Sequence, residues 1–347
     1  MNIFLLTYIL TLMNGFFCKY IKDGKRVFCI TSGIAYFLIA ALRRWDVGGD
    51  SYNYKYMFEL VSSMDLRQVI QYAKTDPFFF IFLKALSCIS ENYTFLFSVV
   101  AAFFVIMVWT LIYRYSDDPV LSIIILLAFN LYQFSLTGMR QTIAMGFIVL
   151  SLIEMKEQKR FSPYLCIILG SLFHSSAFIF IIIPLLRRIT ITTTMLRYSS
   201  LLLVVVFILR RTIAALLIIF IQERGYNLSL SNSGATMMFV IAVLYVMAIV
   251  FLKEYSKTDK DYFILYYMGW FAVFFEILVT SQNIFFRAAF YFLISYVILI
   301  PNLVSRVKSR NSRLLLKSSM YILMSAQYLL FTIGSCYILP YTTFWQA

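Results

Sequence analysis

Long apolar stretches alternate with short polar ones from end to end of this chain. The apolar runs fall at 2–18, 27–42, 93–113, 119–136, 141–155, 198–221, 234–252, 262–281, 284–304 and 315–339. Each approaches the ~20 residues that a helix needs to cross the hydrocarbon core of a bilayer. The pattern predicts an all-α polytopic membrane protein with about 11–13 transmembrane or half-spanning helices. The first run has no basic stretch before it and is followed by the basic loop Lys19 to Arg26, so it is expected to stay as a helix rather than to be a cleaved signal.

The polar intervals carry charge of two kinds. Lysine and arginine gather at 19–26, at Arg114, and at 156–160, 187–197, 253–260 and 306–317, places that hold 19 of the 30 basic residues. Such clusters are what cytoplasmic loops show under the positive-inside rule. The interval 43–76 instead balances Arg43, Arg44, Lys55, Arg67 and Lys74 against Asp46, Asp50, Glu59, Asp65 and Asp76, and is placed on the outer side. An odd number of crossings must then separate it from Arg114. The 14-residue stretch "PFFFIFLKALSCIS", 77–90, is therefore read as interfacial or re-entrant, which makes 43–92 one extracytoplasmic loop. The same parity makes 161–186 a short-helix hairpin with "FHSSA" at its apex, His174 near the outer surface, and Ser175 or Ser176 capping the second half-helix. A single 26-residue crossing with His174 in mid-membrane is the competing reading.

Composition agrees: 62% of residues are apolar and 13% charged, and the mean hydropathy is +0.84. No large soluble domain fits, and residues 1–347 are read as a single integral membrane domain. The net charge of +14 would suggest nucleic acid in a soluble chain. Here its location makes it an orientation signal, with contact to anionic membrane lipids as a secondary gain. Cys18, Cys29, Cys88, Cys166 and Cys336 sit in or beside apolar runs without CxxC spacing, and there is one histidine, so a zinc site has too few ligands. No Walker loop, dinucleotide fingerprint or GxSxG elbow occurs, and no cofactor is expected.

The polar residues that this topology places outside are "RRWDVGGDSYNYKYMF" at 43–58, "TGMRQ" at 137–141, "FHSSA" at 173–177, "ERGYN" at 223–227 and "SQNIFFR" at 281–287. Arginine is common to most of them: Arg43, Arg44, Arg140, Arg224 and Arg287, with Arg210 and Arg211 inside the 198–221 run. A guanidinium presents a planar fork of donors suited to phosphate and diphosphate and stays charged when partly desolvated. Arginines gathered near one interface point to a lipid-linked phosphate.

These motifs carry a resemblance. "RRWDVGGDSYNYKYMF" resembles the motif of EpsG-like, Wzy-type polysaccharide polymerases at Arg44, Trp45, Gly48, Gly49, Asp50, Tyr54 and Phe58; the family more often has Thr at the position of Gly49. "GMRQTIAMGFIVLSL" is similar to the family's Arg-Gln helix opening at Arg140 and Gln141. "SLFHSSAFIF" matches its His-x-Ser-Ala segment at His174, Ser176 and Ala177, and "NIFFRAAFYF" its late arginine, Arg287, while the tail "ILPYTTFW" is a weaker match.

The resemblance implies a bacterial plasma-membrane glycosyltransferase of the GT-C type that moves a growing glycan from its undecaprenyl diphosphate onto a new lipid-linked repeat unit, on the outer face, without a metal. A chain-length regulator protein is among the partners it implies. Such a transfer needs a stabiliser for the departing diphosphate, an acceptor for the sugar hydroxyl proton and a platform for sugars. The arginines supply the first, Arg140 foremost, with Arg43, Arg44, Arg210, Arg211 and Arg287. His174 or Asp50 supplies the second. Tyr54 and Gln141 join the binding set, and Tyr52, Tyr56, Trp45 and Tyr226 offer platforms.

Each of these residues has a plainer reading. Arg43 and Arg44 flank a helix end, Gly48 and Gly49 make a turn, Arg140 is an interface anchor, and His174 a helix-break residue bonded to a carbonyl. Glu276 is read as a structural ion-pair partner for an arginine. Arg210 and Arg211 are harder to set aside, since charge inside a membrane run usually faces a cavity, a partner or a ligand. An O-antigen ligase or a flippase for the same lipid-linked oligosaccharide are the alternative functions.

Overall fold

The computed structural model describes residues 2–73, 76–187, 192–222, 229–231, 234–252 and 262–346. Among these, six segments are long and apolar enough to cross a membrane: Ile3–Tyr20, Gly24–Ala41, Tyr93–Tyr115, Thr193–Ile219, Tyr262–Val279 and Arg310–Thr332. A bent pair, Asn283–Leu293 with Tyr296–Ser305, makes a further broken span, and five shorter apolar helices accompany them. The chain is an all-α, multi-pass membrane protein. It divides into two compact units, Met1–Phe178 with Leu314–Ala347, and Ile179–Arg313.

In the first unit, helix α1 is Ile3–Phe17 and α2 is Gly24–Ala41. Three short helices follow: α3 Ser51–Ser62, α4 Leu66–Tyr72 and α5 Pro77–Ser87. Asp65 and Gln68 form a reciprocal capping box at the start of α4, and Pro77 opens α5, where its missing N–H costs nothing. At 11 residues α5 is too short to span. It packs Phe79, Phe80 and Leu83 into one core with Tyr54 and Phe58 of α3.

The 23-residue α6, Tyr93–Tyr115, is the long strut of this unit. Asn92 caps its first turn by accepting from the Thr94 N–H at 2.9 Å, and Arg114 in the last turn complements the helix dipole. Helices α7 (Pro119–Ala128), α8 (Leu131–Ser135), α9 (Met139–Lys156) and α10 (Ser162–Phe173) follow, and α9 packs along α6 and α10.

The two ends of α6 differ in chemistry. At one, Lys25 Nζ donates to the Ser116 carbonyl at 2.6 Å, Arg114 pairs with Glu157, and Lys317 with Asp118 at 2.7 Å. Basic clusters far apart in sequence thus share one end. The other end carries residues 43–50, 137–140 and the C-terminal segment.

Three apolar runs expected to be continuous are broken. The 119–136 run is interrupted at Asn130, whose backbone is left-handed at φ 62°. Breaking there frees carbonyls that polar side chains then satisfy: Gln133 Nε2 donates to the Leu127 and Thr332 carbonyls at 3.0 and 3.3 Å, and the Asn130 amide oxygen accepts from Ser335. The 284–304 run bends by 49° between Asn283–Leu293 and Tyr296–Ser305. The 315–339 run ends as a helix near Thr332 after a π turn, and the chain beyond leaves as irregular backbone. At 161–186 the chain departs from helix at His174 (φ −151°, ψ 108°) and continues as a 3-10 turn, Ser175–Ile181, so the expected break is present.

In the second unit α11 is Ile182–Leu186, α12 Thr193–Gln222, α13 Ala235–Val250 and α14 Tyr262–Val279; the bent pair supplies α15 Phe286–Leu293 and α16 Tyr296–Ser305. Helix α14 is its centre, in contact with α11, α12, α13, α15 and α16. Tyrosine and tryptophan tips close the packing by reaching backbone carbonyls: Tyr266 to Ala248 at 2.9 Å, Tyr296 to Ile241 at 3.2 Å and Trp270 to Ser199 at 2.9 Å. Helix α17, Arg310–Gln327, leads back to the first unit.

Candidate functional site

The loop after α2 is fixed by the far end of the chain. The Arg44 N–H donates to the Thr342 carbonyl at 2.9 Å and the Phe344 N–H to that of Leu42 at 3.0 Å, on either side of an antiparallel bridge between Arg43 and Thr343. The Gly48 N–H then donates to Tyr337 O and the Gly49 N–H to Cys336 O, both at 3.0 Å. A third segment completes the clasp: the Asp50 N–H donates to Thr137 Oγ1 at 2.8 Å, and Ser51 Oγ to Leu136 O at 3.0 Å. Every amide from Gly48 to Asp50 is therefore held by another part of the fold, and none by its own helix.

Such closeness constrains residue type. Gly48 sits at φ 103°, and a Cβ there would stand 2.6 Å from the Leu136 carbonyl oxygen. Gly49 has ordinary backbone, and its missing side chain makes room for the Tyr337 ring, whose Cδ2 lies 3.2 Å from where a Cβ would be. The hydroxyl that a threonine would bring to position 49 is not wanting locally, since Thr137 supplies one to the next amide. On the clasp side, Cys336 and Tyr337 are both left-handed, at φ 63° and 56°. Two successive L-residues in that region cost about 1–3 kcal/mol each, so the hydrogen bonds they deliver must over-determine them.

Within this frame the charged residues part ways. Arg43 is buried, 2% exposed, with its guanidinium 4.2 Å from the Phe97 ring centroid and one amino group donating to the Ala40 carbonyl. Burial pushes its pKa down to about 10. Its desolvation costs several kcal/mol, which the ring (about 2) and a charged hydrogen bond (about 1.5–3) offset. Arg43 is thus spent inside the fold. Arg44 is half-exposed and grips Asp46 with its fork, at 2.9 and 2.5 Å, while Nη1 donates to Gln346 O at 3.0 Å. Hydrogen bonding from Arg44 holds the Asp46 carboxyl below the usual carboxylate range, helped by Thr342. Asp50 differs from both. Its residue is exposed, and its carboxylate makes no hydrogen bond or ion pair with any described residue, even at the start of α3 where capping was open to it.

A second cluster lies on the α3, α5 and α9 side. Arg140, the second residue of α9, pairs with Asp76 at 3.0 Å and lies over Phe79 and Phe80 at 4.9 and 5.4 Å. Its backbone N–H points to Tyr54 Oη at 3.5 Å, and Tyr54 itself is a core residue edge-on to Phe79. Gln141 is buried at 3% exposure. His174 joins this end of the unit through its neighbour Phe173, whose ring meets Phe78 and Phe82 of α5.

A family model described as the EpsG family matches residues 26–343. The chain belongs to the EpsG family. Searches of curated proteins and of solved structures each found no match. Membership makes this a glycan polymerase-like membrane protein and a glycosyltransferase-like enzyme of the Wzy type. The match reaches residue 343, so it includes the segment that clasps the 43–51 loop.

The remaining candidates of this EpsG-family chain lie in the second unit. Arg287 is half-buried, the second residue of α15. Arg210 and Arg211 fall near the middle of the 30-residue α12; Arg210 Nη1 returns to its own helix at the Phe207 carbonyl, 2.8 Å away, and Arg211 is exposed. Glu276 is buried at 2% exposure, and no ion pair to an arginine is found for it among the described residues. Arg224 and Tyr226 lie outside the described residues.

Sequence reasoning missed two partners. Asp76 was only a count in a neutral loop, although the Asp-Pro pair at 76–77 marks a helix start and so a carboxylate in a fixed place. The C-terminal segment carried only the weak match of its 338–345 tail, because most of its contacts with the loop are made by backbone groups.

Proposed function

We propose that the chain polymerises undecaprenyl-diphosphate-linked oligosaccharide repeat units at the outer face of a bacterial plasma membrane. The observation that carries this reading is the Asp50 loop: an exposed carboxylate, unpaired among the described residues, next to the Arg44–Asp46 pair on backbone held by three other segments. Rigid placement of charged groups is what transfer between two large, flexible substrates needs. Family membership supports the same reading.

In the reaction the acceptor sugar hydroxyl attacks the anomeric carbon of the growing glycan. A carbon–oxygen bond forms to the acceptor, the bond to the diphosphate oxygen breaks, and the hydroxyl proton must leave. His174 is assigned as the proton acceptor, since imidazole is the side chain whose ordinary pKa lies nearest neutrality. Asp50 orients the acceptor through its hydroxyls. The departing diphosphate gains negative charge, which the Arg140 guanidinium stabilises on turning from Asp76, while Arg44 adds its charge with its fork held on Asp46. Arg287, by its motif, and Arg210 and Arg211, by their place in a membrane run, remain separate phosphate-binding candidates of the second unit.

Purified protein in proteoliposomes, given the lipid-linked repeat unit, is expected to yield a ladder of multi-unit lipid-linked glycans. A deletion strain is expected to carry one repeat unit per chain. Intact polymer in the deletion strain, or no ladder from active-folded protein, overturns the proposal; absence of any surface repeat unit in the strain would indicate a ligase or flippase instead.

A further inference from the structure

The chain places an aromatic ring beside Asp50 in a manner that packing does not explain. Tyr337 is 82% exposed, although its carbonyl is bonded to Gly48 and its ring edge lies against Gly49. Its backbone is left-handed at φ 56°, directly after Cys336 at φ 63°. Glycine or asparagine adopts that conformation with least strain, and a large aromatic gains stability chiefly by burial. Here the strain is borne and the burial forgone. Strained residues of this kind concentrate at ligand-contacting positions.

The neighbouring chemistry is specific. The Asp50 carboxylate is an acceptor with no donor among the described residues, one residue beyond the glycine that the ring touches. Its charge reaches the Cys336 thiol, where burial first and Asp50 last push the pKa up, so the carboxylate stands near this strap. A flat apolar face next to a bare carboxylate matches a sugar ring, which offers C–H groups on one face and hydroxyl donors at its rim.

We infer that Tyr337 and Asp50 form a glycan subsite, in which the tyrosine ring stacks on a pyranose of the repeat unit and the Asp50 carboxylate accepts hydrogen bonds from its hydroxyls. The subsite recognises sugar rather than lipid diphosphate, and it rests on the reading of the chain as a glycan polymerase. Gly49 is part of the device, since a side chain there would press on the ring.

The left-handed backbone makes a clean test available. Tyr337→Gly and Tyr337→Asn relieve the strain, so the folded protein is expected to be as stable as wild type or more so. In proteoliposome assays, Tyr337→Gly is expected to raise KM for the lipid-linked repeat unit about tenfold with kcat little changed, and Tyr337→Trp to restore it. The lipid-free repeat oligosaccharide should inhibit wild type and lose potency to the same degree against Tyr337→Gly, whereas undecaprenyl diphosphate should inhibit both equally. An unchanged KM and unchanged inhibition in Tyr337→Gly overturn the subsite. Lower stability at unchanged KM also overturns it, and marks the ring as a membrane-interface anchor. If wild type makes no polymer while binding no oligosaccharide, the polymerase reading itself has failed.

Discussion

The Gly48 amide donates to the Tyr337 carbonyl at 3.0 Å, joining the loop after the second membrane helix to the segment after the last one. Both hold φ angles in the left-handed region, 103° and 56°, which glycine adopts without strain and tyrosine does not. Gly48→Ala is expected to destabilise the protein by more than about 1 kcal/mol, because its Cβ meets backbone that cannot yield. Gly49→Ala faces only a movable ring and should cost less. Thermal unfolding in detergent compares the two; equal losses would show that the loop is not clamped as described.

Arg140 and Asp76 form the second charged unit, 3.0 Å apart and about one-fifth exposed. Arg140→Lys keeps the charge and loses the fork, so kcat/KM should fall about 10- to 100-fold with expression intact. Asp76→Asn removes a competitor for the same guanidinium and should lower KM, provided Arg140 binds diphosphate. A rise in KM on Asp76→Asn would assign the pair to structure alone.

His174 and Asp50 are separated by paired substitutions. His174→Gln keeps hydrogen bonding but cannot take a proton near neutrality, and a lost base costs ~10²- to 10⁴-fold in rate. Asp50→Asn should act mainly on KM for the acceptor. Wild-type turnover from His174→Gln would make the histidine structural and pass the role to Asp50.

Arg43 should report on folding, not on substrate. Arg43→Lys trades a fork stacked over Phe97 for a more strongly hydrated ammonium in a site only 2% exposed, and is expected to cost roughly 1–3 kcal/mol of stability. KM measured on the surviving folded fraction should not move.

Acid should weaken the loop through Asp46. Hydrogen bonds from Arg44 hold its folded-state pKa low, so the ionised carboxylate stabilises the folded form. That contribution is complete above the unfolded value near ~4 and disappears as pH falls through the lower folded value. The difference in melting temperature between wild type and Asp46→Asn should therefore be constant from neutral pH down to about 5 and close below it. A gap that persists into acid would show that Thr342 and not Arg44 is the partner that matters.

Much of this architecture is readable from hydropathy, because a bilayer imposes one length on every spanning helix and leaves backbone no partner but itself. The runs at 2–18, 27–42 and 93–113 accordingly match α1, α2 and α6 closely. The break at Asn130 escaped because one polar residue among nine apolar neighbours scarcely lowers a run's hydropathy, yet its amide found Ser335 and Cys336. In the site, the importance of Gly48 was visible as a turn, while the burial of Arg43 was not, since neighbouring arginines look alike until one of them meets Phe97. The clasp was invisible for a deeper reason: carbonyl acceptors exist at every residue, so composition cannot say which are used.

The clasp also sets an order in time. Residues 43–51 are made before residues 336–342, so the amides of Arg44, Gly48 and Gly49 have no acceptors until that later segment exists. A chain interrupted between the two segments keeps at most the contacts of Asp50 and Ser51 with Thr137 and Leu136. Translation thereby delays the full latch of this loop until residues 336–342 are made.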